Sequence, residues 1–501
     1  MPPPQRSFER ATSNSAPTEQ HRLIVSSNPG AQREFERGLG LVYAFHYDQA
    51  ISAFERSKHL DPSASMPHWG IALALGPSIN DPTMTGRMAD AHGAVRRALE
   101  LAGDDTEQVR DYVLALSARY SAASDFNLES LARDYATAMR DLVEKYPADL
   151  DAATLFAESL ILAGSWPWWT EGGKPRDGID EAIRVVESVL ARDPQHIGAS
   201  HYHIHLLESS PTPERALSTA RRLDKLAPPG AGHLLHMPSH IYMRLGDYRA
   251  AVASNLRAVR ADSHHPGTHG AVGLYPTLQA HSREFLAAAA GMTGQFKIAR
   301  EADDSLFVLL RFQQWDAVLS RVAPRGAIST LEWRVARVLA LTAKGMLDEA
   351  EAELKQYEGA ERALPPGSTW WADPIERFLP MVRSEMAARI IWARGDRRAA
   401  VEQWREAVKS QDVLTRSESV LPWFHPLRES LGAALYLNGQ VAEAEMVFRE
   451  DLRHNPNNPR SLFGLWQSLE SQAKTSEARP VRKQFEDAWK DADVQVSMHD
   501  L

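Results

Sequence analysis

The sequence predicts an all-α chain of antiparallel helix pairs stacked as an α-solenoid, and three observations carry that reading. Glycine stands five residues before alanine at Gly246/Ala251, Gly294/Ala299, Gly345/Ala350, Gly395/Ala400 and Gly439/Ala444. Each of these pairs lies between two amphipathic stretches, as in "ALYLNGQVAEAEMVFREDLRHNP". Alanine also stands twelve residues before proline at Ala50/Pro62, Ala182/Pro194, Ala216/Pro228 and Ala444/Pro456. A glycine lets the chain turn between helices, a buried alanine lets them approach, and a proline stops the second helix. Almost no strand is expected.

Along the chain, residues 1–28 are polar and rich in Pro and Ser, "MPPPQRSFERATSNSAPTEQHR", and are expected to form a mobile tail. They lack the apolar core of a secretory signal, so the cytoplasm is the expected compartment. "FERGLGLVYAFHYDQAISAFERSKHLDP" opens the array. Repeat units follow at 34 to 35 residues from Ala182 to Ala251, then stretch to between 44 and 51, so the later loops or helices are longer. "PRSLFGLWQSLESQAKTSEA" lies near the end. A single array over 29–490 is expected to hold roughly eight to ten helix pairs, with 491–501 as a C-terminal tail.

These spacings resemble the tetratricopeptide repeat, two antiparallel helices with small residues where they cross. The resemblance implies a right-handed superhelix whose first helices line a concave groove, the usual ligand surface. "HYHIHLLESS" and "APPGAGHLLHMPSHIYMRLGDY" further resemble a divergent bacterial group of tetratricopeptide proteins with HY-x-IH and HMP-S/A-HI elements. The sequence departs from that group at His46–Tyr47, His68 and His203.

Composition excludes several classes of function. A formal charge of −9 argues against nucleic-acid binding, and no run is apolar enough for a membrane span. No cysteine is present, so disulfides, thiolate nucleophiles and thiolate metal ligands are out, and any metal must be held by His, Asp or Glu. No phosphate-cradling glycine loop or serine nucleophile elbow occurs, so no nucleotide cofactor is expected.

Eleven of the nineteen histidines lie between His196 and His281, in a His-rich central part at 196–285. His201, His203 and His205 alternate, but on a helix only residues four apart share a face, so His201 and His205 point together and His203 points away. With the small alanine of each unit numbered 20, His201 and His205 occupy positions 5 and 9 of one unit, and His236 and His240 the same positions of the next. In the third unit His281 falls at position 2 and Glu284 at position 5. Pro238 either kinks the second of these helices or marks its start, leaving His236 on the preceding loop.

Neutral imidazoles with a carboxylate suit a transition metal, iron, copper or zinc, as one ion or two. The candidate ligands are His201, His205, His236, His240, His281 and Glu284, with Glu158, Glu208 and His233 as possible additions. Trp166, Trp168, Trp169, Tyr242 and His269 are candidates for the substrate side, the tryptophans and the His-rich loop as covers over the groove.

Two functions follow. One is a metalloenzyme acting on a small molecule or peptide, with oxidation preferred to hydrolysis. The other is a non-catalytic scaffold binding a partner protein or peptide in the same groove.

Overall fold

The computed structural model describes residues 23–83, 86–164, 166–170, 172–263, 275–370, 373–414 and 423–501. These residues are mostly helical. The strands among them are β1 (Thr369–Trp370) and β2 (Asp373–Pro374), paired antiparallel. The chain divides into two compact units, residues 1–241 with 254–282 and residues 242–253 with 283–501.

The first unit is built from α1 (Pro29–Tyr43), α2 (Tyr47–Leu60), α3 (Met66–Leu75), α4 (Met88–Leu101), α5 (Glu107–Ser117), α6 (Leu128–Lys145), α7 (Leu150–Ala163), α8 (Ile179–Arg192), α9 (Ile197–Glu208), α10 (Leu217–Leu226) and α11 (Gly232–His236). The boundary between the units runs through α12 (Pro238–Leu245), α13 (Tyr248–Ser263) and α14 (Tyr275–Met292). The second unit continues with α15 (Phe296–Ala302), α16 (Leu306–Arg311), α17 (Trp315–Leu319), α18 (Ala327–Ala343), α19 (Leu347–Arg362), α20 (Leu379–Ala393), α21 (Arg397–Leu414), α22 (Leu427–Leu437), α23 (Val441–His454), α24 (Pro459–Ser471) and α25 (Thr475–Ala488).

Within each unit neighbouring helices pack on one another, as α1 on α2, α7 on α8, α20 on α21 and α24 on α25, and first helices of successive pairs also touch, as α1 with α3, α7 with α9, α18 with α20 and α22 with α24. That pattern is the stacking of an α-solenoid. The repeat residues act as their chemistry requires. All five glycines of the Gly–Ala pairs take positive φ, from 73° at Gly294 to 95° at Gly395, and all five alanines are fully buried. The prolines Pro62, Pro194, Pro228 and Pro456 follow helices that end at Leu60, Arg192, Leu226 and His454.

One packing device occurs in both units. Phe54 of α2 lies against Gly38 of α1 and Gly70 of α3, where an added Cβ would stand 2.5 Å from its ring. Phe448 of α23 lies in the same way against Gly432 of α22 and Gly464 of α24, at 2.6 and 2.2 Å. In each case a first-helix glycine makes room for the aromatic side chain of the second helix.

Residues 491–501 carry more structure than the tail expected there. Met498 and Leu501 are buried in the second unit, and Gln313 donates to the Asp500 carbonyl at 3.0 Å. The reason is local: apolar side chains on a short 3-10 turn, Met498–Asp500, closed by a capping box from Ser497 and Asp500.

Candidate metal centre

The site forms in the first unit where α9 meets the end of α1. Gly198 lets the two close, since a Cβ there would lie 2.5 Å from the Tyr43 ring. The Tyr43 hydroxyl donates to Asp151 of α7 at 2.7 Å, and its carbonyl accepts from His201 Nδ1 at 2.7 Å. Pro238 breaks the next histidine segment into α11 and α12, with His236 ending one piece and His240 in the other. The break costs no proximity, because the two Nε2 atoms stand 2.8 Å apart.

Six imidazoles gather as two sets of three, His201 with His205 and His233, and His236 with His240 and His281. Within each set one ligand atom per residue lies within 4.8 Å of the others. In the first set His201 Nε2 stands 3.1 Å from His205 Nε2 and 3.0 Å from His233 Nε2. The sets adjoin, with ring centroids 5.9 Å apart both for His205 and His240 and for His233 and His236. All are buried except His281, which is partly exposed.

What lies behind the rings decides their chemistry. His201 Nδ1 faces a carbonyl, His205 Nδ1 faces Glu208 Oε1 at 3.0 Å, and His236 Nδ1 faces Asn255 Oδ1 at 2.6 Å. His240 Nδ1 meets the other Glu208 oxygen. These partners are acceptors, so each Nδ1 carries the proton and each Nε2 keeps its lone pair. Lone pairs about 3 Å apart repel unless a cation lies between them. Two imidazole nitrogens bound to one ion at about 2.0–2.1 Å stand roughly 3.0–3.4 Å apart, close to the spacing in both sets.

Burial, followed by the charge of neighbouring imidazoles, pushes His201, His233 and His236 well below the usual histidine range. Burial and His240 take His281 down to about 3. Burial would raise the Glu208 carboxyl, but His240 and His205 hold it well below the ordinary carboxylate range. The site therefore sets His201, His233, His236 and His281, which resist protonation, beside one ionised carboxylate.

The carboxylate against the imidazoles is Glu208, and this corrects the assignment to Glu284. Glu284 lies one turn beyond His281 on α14, but it is exposed and its charged neighbour is Asp303. His233 belongs to the first set as a full member. Glu158 lies elsewhere in the unit, buried 3.7 Å from Arg119. His203 turns from the cluster to Thr219 Oγ1 at 3.1 Å.

The Trp candidates divide. Trp169 is buried and donates from Nε1 to the Leu206 carbonyl of α9 at 2.9 Å, and Trp168 is also buried. Trp169 holds its loop to the helix that carries His205, because an indole N–H near a helix end finds a free carbonyl there. Trp166 is 59% exposed. Tyr242 is buried in the second unit. His269 lies outside the described residues.

Sequence reasoning missed Asn255, the Tyr43 carbonyl and Phe45. Phe45 stacks over the first set, its ring centroid 4.3 Å from that of His201, 5.1 Å from His233 and 6.1 Å from His205. One signal was available: Phe45 precedes Ala50 by five residues, the place glycine holds in the Gly–Ala pairs.

No family model matches the chain, and no curated protein matches it. Among solved structures it is similar to the crystal structure of the APC/C hetero-tetramer Cut9–Hcn1, at 11% identity and a TM-score of 0.31, covering 92% of this chain and 74% of that one. It is also similar to yeast Tom70, at 14% identity and a TM-score of 0.27, covering 94% of this chain and 93% of that one. Likeness at this level carries no inference about chemistry. Among the described residues no helix is long and apolar enough to cross a membrane.

Proposed function

We propose that the chain is a metal-dependent enzyme on a tetratricopeptide-like scaffold, with a transition-metal centre at His201, His205, His233, His236, His240 and His281. One observation carries the reading. Acceptors behind His201, His205, His236 and His240 turn their Nε2 lone pairs toward one another at hydrogen-bonding distance, an arrangement a cation completes. Burial disfavours a proton on His201 and His236, which favours a metal ion as that cation.

The donor set selects among metals. Each set offers three imidazoles and no thiolate, and Glu208 stands behind the rings rather than beside the Nε2 atoms. All-imidazole triads favour copper or zinc over iron, whose oxygenase sites include a carboxylate ligand. Copper is preferred, and with it oxidation of a small molecule or peptide over hydrolysis. The reading also takes the chain as a member of the divergent bacterial group it resembles, acting in the cytoplasm.

The test is elemental analysis of protein purified without a polyhistidine tag, before and after chelation and reloading. One to two ions per chain are expected. Below about 0.2 per chain, unchanged by added copper, zinc or iron, the enzyme reading fails.

A second reading, a non-catalytic scaffold, has its own support. The second unit holds a groove of about 320 Å³ lined by Trp315, Trp392, Trp404 and Arg389, and the chain's own Met498 and Leu501 form part of its wall. A metal-free protein would leave this groove as the functional surface.

A further inference from the structure

Phe45 stands where this fold most often uses glycine, and it is a far bulkier side chain than the Gln313 or Ala473 that also occupy this turn. Its N–H donates to the Val42 carbonyl at 3.0 Å, and the next N–H, of His46, reaches back to Leu41 at 2.9 Å. The same pair of bonds closes the helix at Gly345, Gly395 and Gly439, and also at the non-glycine residues Gln313 and Ala473. It is the Schellman closure, which needs a left-handed residue at its turn. Phe45 takes that conformation at φ 58°. A bulky L-residue there is strained, because its Cβ crowds the following carbonyl, and glycine avoids that strain. The strain places a buried aromatic ring over His201, His205 and His233. Backbone strain held by a packed side chain at a polar centre is a reason to look for function there.

The other set is more open: its member His281 is partly exposed, whereas every member of the first set is buried. Resting on the metal reading above, we infer that the centre holds two unequal ions and that Phe45 makes them unequal. The ion at His201, His205 and His233 is closed by the phenyl ring. The ion at His236, His240 and His281 takes the exogenous ligand, a small coordinating molecule of dioxygen or azide size. Phe45 is a specificity-determining residue, since it touches the ligating imidazoles and decides which ion is reached.

The experiment uses copper-loaded full-length protein with azide as the probe, read by its charge-transfer absorption, with copper counted in every sample. His240→Ala breaks the second set, so the remaining ion should bind no azide while Phe45 is present. Adding Phe45→Gly should expose that ion and strengthen azide binding more than about tenfold. His205→Ala breaks the first set, and the ion left in the second set should bind azide alike with or without the Phe45→Gly substitution. Phe45→Leu, which keeps an apolar cover, guards against a folding defect and should behave as the parent. Wild-type protein without copper sinks the metal reading and this inference with it. One ion per chain, or azide on the His240→Ala ion with Phe45 intact, overturns the inference alone.

Discussion

An imidazole with an acceptor at Nδ1 has one lone pair left, and Glu208 fixes that choice for two rings at once. Its two oxygens meet Nδ1 of His205 in one set and of His240 in the other. Glu208→Gln replaces one acceptor oxygen with an N–H₂ donor of the same shape. One of the two rings must then move its proton to Nε2, where it blocks the ion. The expected result is a 10–100-fold loss of metal affinity, the usual effect of losing such a partner, measured by competition with a chelator. His205→Ala and His240→Ala should lower occupancy at least as far. His203→Ala should leave it unchanged, because His203 turns to Thr219. Equal loss from all three would mean that the helical register does not govern the site.

At the scale of helices, small residues set how closely the pairs stack. Gly464→Ala would place a Cβ 2.2 Å from the Phe448 ring, so either α23 or α24 must move. Overpacking of this kind costs about 1–3 kcal/mol, and the urea midpoint should fall accordingly. Gly464→Ala with Phe448→Leu should recover part of the loss, and no recovery would place the strain elsewhere. Helices were legible because these constraints are local: Gly439, Ala444 and Pro456 each act within one pair. The register of His201 with His205 and of His236 with His240 was legible for the same reason. Glu284 was not, because a helical offset says nothing about which way α14 presents its turns. Tyr43 and Phe45 lay beyond reach too, since they meet His201 only once α1 packs on α9, across more than 150 residues of chain.

Across the whole molecule, acid should act on the two units differently. In the first, burial holds His201, His203, His233, His236 and His281 below the usual histidine range. Unfolding returns these groups to about 6.5, so in chelated protein the unfolded state binds more protons from there down to the folded values, near 3 for His281. Stability is therefore full above about pH 7 and is lost as the pH falls, by roughly 0.7 kcal/mol per group between pH 7 and 6. His201, His233, His236 and His281, held farthest down, together give a few kcal/mol, and His203 adds in the same direction. Asp149 and Glu158, raised by burial, oppose this only at lower pH, where unfolded carboxyls would still be ionised. In the second unit His425 is lowered by burial in the same way, but burial and Glu429 lift Asp451 to about 6. A raised carboxyl holds its proton when folded, so Asp451 adds stability as the pH drops through 6 and offsets His425. Denaturation of chelated protein at pH 7.0, 6.5 and 6.0 should show one transition moving down steeply while the other holds. Bound metal should raise the first transition at pH 7 and lose that effect as protons compete for the same nitrogens. If the lower transition stays flat without metal, the imidazoles already ionise in the fold, and repulsion between lone pairs cannot be what a cation relieves.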